Sequence, residues 1–180
     1  MNATELKVIL DQHKLWIESG RKKGKRANLR GVYLQGANLR GVYRQSANLQ
    51  SANLQSADLR DANLQSANLQ SADLRDADLQ SANLQSADLR DADLQSADLR
   101  GANLKGANLK DANLRGVNLQ DADLQSAYLW GATFDLNFKK VGYFAYATFS
   151  EDQVAWVCLH PKFHKWASTL KWVKAERLSA

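Results

Sequence analysis

From Ala27 to Ala132 a small apolar residue returns at every fifth position, with a leucine two places after it in nearly every repeat. A period of five fits neither regular element. Five helical steps advance a side chain by about 500°, about 140° beyond a full turn, so the leucines would scatter around a helix. Five steps along a flat strand send it to the opposite face, leaving alternate leucines in water. The remaining solution is a chain that turns a corner in every repeat, always the same way. Each Leu and the small residue before it then point to one axis, and the stacked turns form a solenoid.

The pattern runs for 22 consecutive repeats. The small residue is Ala, or Val at Val32, Val42 and Val117; the central residue is Leu except for Arg44 and Phe134. The expected core includes Leu59, Leu64, Leu69, Leu74, Leu79, Leu84, Leu89, Leu94 and Leu99. Asn or Asp precedes the Leu, apart from Tyr33, Tyr43, Tyr128 and Thr133. Gln, Arg or Lys mostly follows it, then Ser, Asp or Gly. Short polar residues and Gly suit tight turns, because Asn and Asp bond nearby backbone and Gly tolerates positive φ. Asn and Asp interchange freely, which argues for a structural hydrogen bond and not for paired catalytic carboxylates.

The motif, as in Ala57-Asp58-Leu59 and Ala82-Asn83-Leu84, resembles that of the pentapeptide-repeat proteins over residues 27–136. The resemblance implies a right-handed quadrilateral β-helix, four repeats per coil, and hence about five and a half coils about 26 Å tall. Three regions are expected: 1–26, a capping helix and basic linker; 27–136, the β-helix; 137–180, a degenerate last coil and an aromatic helical cap.

A solenoid exposes strand edges at both ends, so caps are needed. Leu6, Ile9, Leu10, His13, Trp16 and Ile17 share one face of a helix over 4–18, with Gly20 as its stop and His13 as a packed residue. RKKGKR (21–26) then reads as a solvated linker, or as a phosphate-binding patch. Beyond Phe134, Ala147-Thr148-Phe149 returns to the motif. A helix starts near Ser150, Pro161 interrupts it, and a second spans 162–178. The second places Phe163, Trp166, Leu170 and Val173 on one side. That surface either folds back as a cap or pairs two chains end to end, an arrangement the resemblance allows. Arg44 takes the place of an inward Leu. It either swings out to solvent at a frayed mouth or bridges Glu18 or Asp11.

Charge is uneven: +4 in residues 1–26, −3 in 27–136 and +4 in 137–180. Cys158, His160 and His164 have a spacing open to metals, but Pro161 interrupts them and structural zinc wants four ligands; no metal or cofactor is expected. The chain shows no phosphate loop and no nucleophile elbow, so no enzyme is expected. One cysteine, no apolar run that would span a bilayer and no secretory pattern predict a soluble cytoplasmic protein with no membrane partner.

With four repeats per coil, Gln45, Gln65, Gln85 and Gln125 line one face, where the outward charges are Lys105 and Asp123. The glutamines satisfy one another along the stack or form a flat docking surface. The adjacent face carries Asp58, Asp61, Asp78, Asp98 and Asp121 against Arg40, Arg60 and Arg100. Segments 56–70, 71–85 and 86–100 are near copies fifteen residues apart, so their charged triplets step onto a new face each time. The expected function is a structural or protein-interaction rod whose partner the sequence does not name. The resemblance offers a second reading, mimicry of DNA at gyrase, which needs a strongly acidic face. Nucleic-acid binding through the basic ends lacks a basic stripe along any face. Ice binding lacks ranks of threonine.

Overall fold

The computed structural model describes residues 3–42 and 45–133, together with the backbone of 148–149 and 171–172. Among the described residues seventeen isolated parallel bridges pair residue i with residue i+20, from Asn28 with Asn48 to Asn113 with Thr133. Four pentapeptides therefore make one coil, and each coil lies directly on the last. Corners recur so often that each wall is held by a single bridge, flanked by hydrogen bonds such as Leu84 N–H to the Asn103 carbonyl at 2.7 Å.

The corner has a defined chemistry. The N–H of the small residue bonds back to the carbonyl of the preceding Leu, as from Ala87 to Leu84 at 3.0 Å. The residue before it has positive φ at every corner from Gly31 to Gly131, whether Gly, Ser or Asp; Ser71 stands at 54° and Asp76 at 57°. Positive φ at the third residue is what a type II turn demands. Ser and Asp hold it here against a steric cost, because the stacked walls on either side fix the corner.

The nine leucines expected in the core are at most 1% exposed, as are the intervening alanines. Burying one Leu side chain contributes about 3 kcal/mol. The core is thus a column of leucines on four walls with an Ala beside each, and it has the width of a few side chains.

The N-terminal cap forms as the apolar stripe predicts. Helix α1 (Ala3–Glu18) packs Leu6, Ile9 and Leu10 against the core. His13 is fully buried; its Nδ1 accepts the Ala27 N–H at 3.1 Å, which puts the ring proton on Nε2. The ring stacks on Trp16 at 5.5 Å. Gly20 ends the helix as expected. Its N–H bonds to the Ile17 carbonyl and that of Arg21 to the Trp16 carbonyl, the paired bonds of a Schellman motif, with Gly20 at φ 62°.

The backbone of segment 21–26 is strapped to α1 and its neighbouring turn. Lys25 N–H bonds to the Gln12 carbonyl, and Ser19 Oγ accepts the Lys23 N–H at 2.8 Å. Gly24 is required there: a Cβ would lie 2.3 Å from the Gln12 carbonyl oxygen. The side chains of Arg21 to Arg26 nonetheless remain exposed.

At the C-terminal end β1 (Thr148–Phe149) pairs in parallel with β2 (Lys171–Trp172). At Lys171 and Trp172 a strand stands where a helix was expected; the rest of the expected helix over 162–178 lies outside the described residues. Trp172 is a strand former, and the edge at Thr148–Phe149 offers it a parallel partner, which at these two residues outweighs the helical spacing. Arg44, the cap surface of Phe163, Trp166, Leu170 and Val173, and the Cys158, His160 and His164 cluster lie outside the described residues.

Candidate functional site: the outer faces of the coil

Every Asn or Asp of the motif does the same local work. Its Oδ1 accepts the N–H two residues on, as from Gln85 to Asn83 at 3.1 Å and from Gln80 to Asp78 at 3.2 Å. An amide oxygen and a carboxylate oxygen serve equally, which is why the two residues interchange.

Where the motif reads Asp-Leu-Arg, the same carboxylate is engaged again by the arginine side chain. Arg60 clasps Asp58 through Nε at 2.9 Å and Nη2 at 2.7 Å. Arg75 clasps Asp73 and Arg90 clasps Asp88 in the same way, each Nε at 2.8 Å. Arg100 holds Asp98 with Nη2 at 2.6 Å. The hydrogen bonds from Arg60 hold the Asp58 carboxyl down at about 2. Asp73 and Asp88 are lowered for the same reason. Burial pushes Asp98 up, but the bonds from Arg100 outweigh it and the net shift is downward. Sequence reading placed arginines among the aspartates but missed this two-residue clasp. Its signal is D-L-R, which sets both side chains on one outer wall.

Further pairs join stacked coils: Arg40 with Asp61 at 3.3 Å, Arg60 with Asp78 at 3.4 Å, and Lys105 with Asp123 at 3.1 Å. On the most acidic wall Asp58, Asp61, Asp78 and Asp98 are therefore each paired with an arginine. On the neighbouring wall the outward charges, Lys105 and Asp123, pair with each other and leave a neutral face. Gln45 Nε2 donates to Gln65 Oε1 at 2.8 Å, the amide-to-amide step expected of a ladder. Gln85 and Gln125 are half-buried on the same wall, and Lys105 stands between them in the stack. Similar glutamine steps occur on two other walls, Gln35 to Gln55 and Gln50 to Gln70, both at 3.3 Å. The ladder is thus not peculiar to the wall of Gln45 and Gln65.

Near the last described coil Lys110 Nζ lies over the Trp130 ring at 4.8 Å, while Arg21 covers Trp16 at the other end at 5.2 Å. Between α1 and the first coil is a cavity of about 730 Å³, lined by residues including Asp11, Lys14, Glu18, Arg40 and Val42. Lys14 and Glu18 pair across one helical turn at 3.8 Å. No helix among the described residues is long and apolar enough to cross a membrane.

No curated protein matches the chain. Among solved structures it is similar to the pentapeptide repeat protein Rfr23 from the cyanobacterium Cyanothece 51142. The identity is 30%, covering 72% of this chain and 98% of that one, with a TM-score of 0.48. It is also similar to alr5209, a pentapeptide repeat protein from Nostoc PCC 7120, at 32% identity over 74% and 91% of the two chains, with a TM-score of 0.47. A trypsin-treated form of QnrB1, a plasmid-mediated fluoroquinolone resistance protein, shares the fold at 19% identity. That likeness covers 77% of this chain and 71% of that one, with a TM-score of 0.50. The family described as pentapeptide repeats matches in eight copies, over residues 27–65, 45–80, 57–95 and 92–131. Repeat, coil and corner agree with that match: the chain belongs to the pentapeptide repeat family.

Proposed function

We propose that this protein is a non-catalytic, cytoplasmic interaction scaffold, a rigid rod coiled in the right-handed sense of its family. The observation that carries the reading is the local neutralisation of its charge. Asp58, Asp73, Asp88 and Asp98 are each clasped by an arginine of the same repeat, and these repeats lie on three different walls. What repeats along the rod is the backbone and the core; among the described residues no wall carries a regular column of unpaired negative charge, and on the most acidic wall only Asp121 lacks an ion pair. Mimicry of DNA needs such a column, since a basic DNA saddle selects for charge. A scaffold needs only stiffness and a surface that a partner can read.

The discriminating experiment is a gyrase supercoiling assay with the purified protein. The scaffold reading expects supercoiling to proceed unchanged at a tenfold molar excess of the protein. Inhibition at near-stoichiometric concentration would establish mimicry in its place.

A further inference from the structure

The ladder shows what each wall offers to the wall beneath it. Asn48 N–H bonds down to the Ala27 carbonyl, the Asn48 carbonyl accepts from Leu29, and the Gln50 carbonyl accepts from Gly31. The downward edge of a wall is therefore one donor and two acceptors. In the first coil no further coil lies below, among the described residues, to use them. On the wall of Leu29 the edge consists of Asn28 N–H, the Asn28 carbonyl and the Arg30 carbonyl, and no backbone partner meets them among the described residues. Exposure agrees: Asn28 and Arg30 are exposed, whereas Asn48 and Gln50, one coil up, are half-buried. Helix α1 closes the core from below through Leu6, Ile9 and Leu10, but it leaves this edge open.

Directly beneath that edge is a groove of about 340 Å³, lined by Val8, Ile9, Gln12, Lys25, Arg26 and Asn28. Its helix side is aliphatic, and Val8 is 56% exposed. Its linker side is cationic. Lys25 and Arg26 line it, and Arg30 stands on the edge above, outside the groove lining. Arg26 Nε donates to the Ser46 carbonyl, and no ion pair engages Lys25 or Arg30 among the described residues.

We propose that this groove binds an extended segment of a partner protein in which acidic and aliphatic residues alternate, added to the wall of Leu29 as one more rung. A strand sends alternate side chains to opposite sides, so one row meets Val8 and Ile9 while the other meets Lys25 and Arg30. Its backbone supplies two N–H donors and one carbonyl, the complement of the edge. The competing occupants fit less well. A second copy stacked end to end would bring together termini that each carry +4. A nucleic-acid strand would set phosphate oxygens, which only accept, against two backbone carbonyls.

This inference rests on the scaffold reading and names its partner class. The two fail separately: gyrase inhibition sinks the scaffold and says nothing of the groove, whereas failure to bind peptide sinks the groove alone. The test uses the full chain and a fluorescein-labelled Val-Glu-Val-Glu-Val-Glu peptide, followed by fluorescence anisotropy. Binding with a Kd below about 1 mM is expected. It should weaken at least tenfold when alternate peptide amides are N-methylated, and at least tenfold in the Lys25→Glu/Arg30→Glu variant. Hydrogen exchange should show the Asn28 amide protected in the complex. Four results would each overturn the proposal: no binding, equal binding of the N-methylated peptide, an Asn28 amide unchanged by the peptide, or tighter binding of a ten-residue oligothymidine. The N-methylated peptide probes the unaltered protein, so the proposal stays testable even if the double variant fails to fold.

Discussion

Leu84 sits near mid-stack at 0% exposure, with Leu64 below at 0% and Leu104 above at 1%. Truncation to Ala removes three carbons, a transfer loss of about 2.4 kcal/mol at about 0.8 kcal/mol per carbon. A cavity term adds to it. The corners on both sides are fixed by ladder bonds of 2.7–3.0 Å, so the column has little freedom to collapse into the gap. The expected total for Leu84→Ala is about 3–4 kcal/mol. Leu84→Asp adds an unpaired carboxylate in the core, and its cost should exceed about 5 kcal/mol. Gln85→Glu, one residue away on the outer wall and one coil below Lys105, should change stability by less than about 0.5 kcal/mol. Urea unfolding followed by circular dichroism measures all three. A loss below about 1 kcal/mol for Leu84→Ala, or equal losses for Leu84→Asp and Gln85→Glu, would falsify the inward assignment of the leucines.

Asn83→Asp should be nearly neutral in the same assay, while Asn83→Ala should lose about 1 kcal/mol, because the Gln85 N–H forfeits its acceptor. A costly Asn83→Asp would show that the amide has a second task. Gly24→Ala should lower the melting temperature clearly, since its Cβ would meet the Gln12 carbonyl oxygen at 2.3 Å and φ is 74°; an unchanged melt would mean the strap is not docked as described. Asp58 titrates at about 2 against an ordinary 3.8, so the contribution of its clasp is present above pH 3.8 and fades as pH falls towards 2. In Arg60→Gln the Asp58 carboxyl should titrate closer to 3.8 by carbon-detected NMR. No upward movement would mean that the Arg60 bonds are not what holds it down.

Much of the candidate surface was legible in advance, but unevenly. Alternation of Asn with Asp pointed to a hydrogen bond to backbone, and Gln80 with Asp78 and Gln85 with Asn83 show it. The glutamine row predicted an amide ladder, and Gln45 with Gln65 makes one step of it. The partner of each arginine is marked only by the D-L-R spacing, which alone does not choose between neighbouring carboxylates. Arg60 has Asp58 two residues before it and Asp61 next to it, and linear distance favours Asp61. The coil decides otherwise: Asp61 occupies the corner at φ 58°, where its side chain leaves the wall, while Asp58 and Arg60 stand side by side on it.

By itself the sequence determined the inside of this protein. A period of five with an apolar pair in every repeat admits one arrangement that keeps the pair dry, so the leucine column, the corners and the Asn or Asp hydrogen bonds follow from local chemistry. Only the tertiary structure decided how distant segments meet. It set Gly24 against α1, His13 against Ala27, Lys171–Trp172 into a strand where the spacing favoured a helix, and gave the lower edge at Asn28 no backbone partner among the described residues. The physical reason is range. A repeat carries its own turn and its own share of the core, so each copy restates the rule. Contacts between the ends and the coil occur once each, and a single occurrence leaves no period to read.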